Sequence, residues 1–247
     1  MEPGTGCVVK CSSYKHACVN LFAMHLFLKL VHKKPQMASF KDLKSAYWDM
    51  CLHGDRTPHG RDACEIVLRA VADGTLSGCS SPFHSLTKSV LHIAAEKCSA
   101  AIVRRLVVDL KVPSMADADK MLPMHVVALE HKNFEEALKK FKLLPVAGLA
   151  ARSWLNRTPL DWHIRNLADC YGQFPDVDPP VAILQWMVQQ PECPVDTQTV
   201  KLWLDQPKCY KWNNVTKILQ EAVAMRIKRW TASKAAWLVA VVLVLGV

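Results

Sequence analysis

The sequence predicts an all-α protein, and three observations carry that prediction. The 247 residues include only nine glycines but eight tryptophans. No stretch sustains the period-two alternation of a half-buried strand. A short block also recurs: Ser89-Val90-Leu91-His92-Ile93-Ala94-Ala95, then Leu122-Pro123-Met124-His125-Val126-Val127-Ala128, then Thr158-Pro159-Leu160-Asp161, with His125 standing 33 positions after His92. Hydrophobic residues make up 51% of the chain, enough to fill a core.

Each recurring residue has a helix-building reason. Proline suits the first helical position, where its missing N–H costs nothing. Ser89 and Thr158 can cap the helix by accepting a backbone N–H, which Leu122 cannot. With its lead-in, the second block reads Asp117-Ala118-Asp119-Lys120-Met121-Leu122-Pro123-Met124-His125. It keeps register with the Asp-x-x-Gly-x-Thr-Pro-Leu-His of the ankyrin repeat, and the chain resembles that family near residues 84–115, 117–145 and 153–190. Lys120 stands at the family's glycine, and so does Asn156, which tolerates the left-handed conformation well. Ile102-Val103 and Leu106-Val107 stand where the family's second helix is apolar.

The resemblance implies a short helical repeat solenoid flanked by degenerate helical caps. It also implies a function, the binding of a partner protein by the turn tips and the exposed positions of the inner helices. Carried over residue by residue, that face holds Lys88, Glu96 and Lys97, then Asp119, Met121 and Glu130, then Trp154, Arg157, Arg165 and Asn166. Trp154, an aromatic on a turn tip, is the expected anchor. His92 and His125 are expected to hydrogen-bond neighbouring turns rather than to act chemically.

Taken in order, residues 1–35 read as an irregular segment and an apolar helix over 17–31 that is expected to end at Lys33-Lys34-Pro35. Cys7, Cys11, His16 and Cys18 lie in it, but their C-x3-C-x4-H-x-C spacing suits tetrahedral zinc poorly, so no metal is expected. Residues 36–82 read as a degenerate helix pair or N-terminal cap, with helices over 38–52 and 60–72 led by Thr57-Pro58-His59 and a loop from Gly74 to Pro82. The repeats occupy 83–192. In the second, the outer helix around Phe134, Ala137, Leu138 and Phe141 comes about two positions late. After the third inner helix, residues 169–180 are expected to loop out before 181–188 pack. Residues 193–230 read as a C-terminal cap with helices over 197–204 and 213–229.

The tail, 231–247, holds an unbroken apolar run from Ala235 to Val247. Thirteen helical residues reach about 20 Å against a hydrocarbon core of about 30 Å. Counting from Trp230 gives 18 positions, with Lys234 able to snorkel and Trp230 and Trp237 suited to the interface. Basic residues before it would hold the folded part on the cytosolic side, so a cytoplasmic protein anchored to a membrane by its C-terminus is expected.

The formal charge of +9 raises nucleic acid as a partner. The positives, however, scatter as Lys33-Lys34, Lys139-Lys140, Lys142 and the 226–234 group rather than forming a stripe with interleaved aromatics, so no specific nucleic acid is expected. Ten cysteines spread along the chain read as reduced thiols. The sequons at Asn156 and Asn214 read as accidental. No phosphate-cradling loop, His-Glu-x-x-His or nucleophile elbow is present, and Ser85-Leu86-Thr87-Lys88 lacks the partner motifs of penicillin-recognising enzymes. The protein is expected to be no enzyme and to need no cofactor. Two alternatives remain: a membrane-embedded helical protein inserting 17–31 and 235–247, and an enzyme using the 169–180 loop as a lid over a pocket beside Asp161 and His163.

Overall fold

The first helix pair shows how local chemistry places the chain. Thr57 takes extended backbone and its hydroxyl accepts the Gly60 N–H at 3.0 Å, while Pro58 fills the first helical position. The helix this starts, α2 (Pro58–Ala72), packs on α1 (Phe40–His53). The turn between them needs Gly54, at φ +57°, because a Cβ there would lie 2.1 Å from the Lys97 carbonyl oxygen.

The computed structural model describes residues 40–77, 88–130, 132–172, 178–195, 200 and 212–245. The Cys7–Cys18 cluster, the 17–31 helix, positions 78–82 of the expected loop, most of the expected 197–204 helix and Gly246-Val247 lie outside them. The described residues are helical with no strand among them, and all of them fall in one compact unit.

Three further pairs follow. Ser89 caps α3 (Val90–Lys97), which pairs with α4 (Ala100–Arg104) and a π-helical turn over Arg105–Asp109. Pro123 opens α5 (Pro123–Ala128), which pairs with α6 (Phe134–Leu143), capped by the Asn133 side chain. A 3-10 turn over Val146–Ala150 leads to α7 (Pro159–Tyr171), where Thr158 and Asp161 close a reciprocal capping box. That helix pairs with α8 (Ala182–Gln189). In space α1, α3, α5 and α7 pack in succession, and α4, α6, α8 and α9 (Asn213–Leu245) do the same. The core between the two rows buries Leu91, Leu106, Phe141, Leu160 and Ile164 completely. Each contributes about 1.5 to 3 kcal/mol.

Two expectations about element boundaries are corrected. Asp169, Cys170 and Tyr171 were expected in a loop but continue α7, because no glycine or proline intervenes before Gly172. Residues 213–229 and the following tail were expected as separate segments but form the single helix α9 through Leu245, a stretch containing neither glycine nor proline. Among the described residues no helix is long and apolar enough to cross a membrane.

Candidate functional site: a charged groove between the turns and the inner helices

The turns that precede α5 and α7 are built alike. Asp117 Oδ1 accepts the N–H groups of Asp119 and Met121, both at 2.9 Å, and Lys120 sits in the left-handed region at φ 55°. In the next turn Asn156 takes φ 57°, and the Ser153 N–H donates to the Arg157 carbonyl at 2.9 Å. The Trp154 N–H donates to the Asp119 carbonyl at 2.9 Å, so the two turns are joined side by side.

Buried histidines bind each helix to the turn that follows. His92 Nδ1 accepts from Ser89 at its own helix start, and its Nε2 lies 2.8 Å from the Met121 carbonyl. His125 repeats the arrangement, accepting the Leu122 N–H at 2.9 Å through Nδ1 while Nε2 faces the Ala151 and Arg157 carbonyls, each at 3.2 Å. Burial pushes both imidazoles below the ordinary histidine pKa and keeps them neutral, the state in which one nitrogen accepts and the other donates.

Between the turn at 117–121 and the last turn of α3 lies an open groove of about 440 Å³. It collects six of the ten expected partner-face residues, Lys88, Glu96, Lys97, Asp119, Met121 and Glu130, from three separate stretches of chain. Glu96 bridges Lys88 at 2.5 Å and Lys97 at 2.8 Å. Burial works against the Glu96 carboxylate, yet the two ammonium groups outweigh it and hold its pKa below the usual range. Met121, Val126 and Leu129 supply the apolar lining. Arg56, Asp117 and Lys132 complete the charged rim. None of these three is among the residues expected on the partner face. Asp117 was legible as the first residue of the turn motif, whereas Arg56 joins the groove only through tertiary packing.

The other four residues lie elsewhere. Trp154 is 61% exposed on its turn tip. The half-buried Arg157 places its guanidinium 5.1 Å over the Trp162 ring. Exposed Arg165 faces Asp169 one turn on, at 3.7 Å. Asn166 corrects an expectation, since it is buried instead of exposed, and its Nδ2 donates to the carbonyls of Ala128 at 3.3 Å and Glu130 at 3.1 Å. It covers the orphan carbonyls at the end of α5, a structural duty.

Asp161 and His163, named for an alternative active site, are engaged differently. The Asp161 carboxylate accepts from the Thr158 N–H and hydroxyl at 2.8 and 2.9 Å. His163 is completely buried against Phe134. Cys51, Cys64, Cys98, Cys170 and Cys193 are free thiols. Among the described residues no cluster of three or more His, Cys, Asp or Glu is arranged to hold a metal. No family model, curated protein or solved structure matches the chain.

Proposed function

We propose that this protein is an interaction module of the ankyrin type that grips a partner protein in the groove between its turns and inner helices. The observation that carries the reading is the convergence of Lys88, Glu96, Lys97, Asp119, Met121 and Glu130 on one groove. Charged side chains around an apolar strip suit the rim and centre of a protein interface. The Glu96 bridge holds two lysines in place before binding, so less side-chain freedom is lost on association. Trp154, on the turn joined to Asp119, adds an aromatic anchor at the edge. The inner and outer rows of helices support a stacked-repeat architecture, in which each pair buries its apolar face against the next.

The test is site-specific photo-crosslinking in cells, with a benzophenone side chain at Met121 in the groove or at Ala101 on the exposed side of α4. A discrete protein adduct from position 121 that is missing from position 101 supports the reading. Adducts of equal pattern from both positions would remove it.

The C-terminal helix favours a second element, a tether that holds the module at a membrane. Its support is the apolar run from Ala235 onward, preceded by Arg226, Lys228, Arg229 and Lys234 with no acid after Glu221.

A further inference from the structure

Helix α9 begins as part of the folded body and ends outside it. Val215, Leu219 and Ala222 are buried against the core. At Arg226 the guanidinium donates to the Gln190 and Pro191 carbonyls, both at 2.7 Å, clamping the helix to the end of α8. Every residue from Ile227 to Lys234 is exposed. From Ile227 to Leu245 the helix extends roughly 28 Å at 1.5 Å per residue.

The charges on this segment do not share a face. At about 100° per residue counted from Arg226, whose guanidinium is taken up by the body, Lys228, Arg229 and Lys234 fall near 200°, 300° and 80° around the axis. They form a collar, so the helix has no single apolar stripe with which to lie flat on a membrane. Beyond the collar the sequence is apolar on every side from Ala235 to Leu245. That stretch is about 16 Å long, close to half of a hydrocarbon core of about 30 Å. Trp230 sits within the collar, 59% exposed, with Lys234 Nζ 4.0 Å over its ring.

From this geometry we infer that α9 enters an anionic bilayer end-on, with the cationic collar seated among phosphate and carboxylate headgroups and the segment after Lys234 in the acyl chains. The inference rests on the tethering reading and adds the class of lipid and the mode of entry. An all-round collar of cations matches a ring of anionic headgroups, whereas a partner helix or second copy would meet only one side of it. The Arg226 clamp makes the helix a continuation of the body, so entry also fixes how the module stands above the lipid.

The test uses the full chain in vesicle flotation, with phosphatidylcholine alone or mixed with phosphatidylserine. The chain is expected to float with the mixed vesicles, and the triple variant Lys228→Gln, Arg229→Gln, Lys234→Gln to bind them about a hundredfold more weakly, each charge being worth roughly fivefold. Depth is read from brominated-lipid quenching of the tryptophan emission lost in Trp230→Phe and in Trp237→Phe. Seven residues separate the two, so end-on entry places Trp237 about 10 Å deeper, quenched best by bromines far down the chain. Equal depths would overturn end-on entry, and binding indifferent to lipid charge or to the triple variant would overturn the collar. No binding to either vesicle would remove the tether itself.

Discussion

Lowering the pH should destabilise this protein through one buried imidazole, His163. The ring is 0% exposed, both its nitrogens lack a hydrogen-bond partner, and the Phe134 ring meets it edge-on with centroids 6.3 Å apart. Burial pushes its pKa down to about 4, and the nearby Ala128 carbonyl, already accepting from Asn166, offsets this only in part. The unfolded chain binds the proton at the ordinary histidine value of about 6.5. Between these values the unfolded state takes up a proton that the folded state refuses, so stability is intact above pH 6.5 and falls until the pH passes 4. A difference of about 2.5 between the two pKa values corresponds to a loss of about 3 kcal/mol. For a domain stabilised by about 5 to 15 kcal/mol, that is a large share. The assay is urea unfolding from pH 7 down to pH 4, comparing the native chain with His163→Leu. The loss from His92 and His125, whose pKa values burial also lowers, is common to both proteins. The native chain should therefore fall by about 3 kcal/mol more than the variant. Parallel profiles would refute the assignment of an unpaired neutral imidazole to this site.

Two further substitutions test the packing and the turns. Leu91→Ala removes a fully buried side chain on α3 and should cost about 2 to 5 kcal/mol by chemical denaturation; a nearly unaffected midpoint would place Leu91 outside the stack. Lys120→Gly relieves a left-handed backbone, φ 55°, that costs a side-chain-bearing residue about 1 kcal/mol, so the melting temperature should rise by a few degrees. A fall would mean that the Lys120 side chain contributes more than the strain removes.

Much of the local structure was legible because it depends on neighbours in sequence. Thr57, Ser89 and Thr158 cap helices in the structure as a hydroxyl three positions before an open N–H must. The left-handed positions at Lys120 and Asn156 coincide with the glycine of the motif. Legibility failed where a side chain answers to something far along the chain. Asn166 stands where the resemblance implies an exposed inner-helix position, yet two carbonyls 36 and 38 residues upstream draw it inward. Arg56 reaches the groove because Gly54 lets its turn press on Lys97, with Asp55 accepting the Ser99 N–H at 2.9 Å. Lys140 reads as one of a surface run of lysines, but it is 2% exposed and donates to the Ala95 carbonyl at 2.9 Å. The unbroken length of α9 was written in its missing glycine and proline, and only the change in composition at residue 230 suggested a break there.

Docking of a partner on the groove and its Trp154 edge is tested most directly by the affinity of Trp154→Ala for the protein crosslinked from position 121, measured by calorimetry beside the melting temperature of the same variant. Binding should weaken by at least about 1 kcal/mol, roughly fivefold, with the melting temperature nearly unchanged, because the indole is 61% exposed. Unchanged affinity would contradict it.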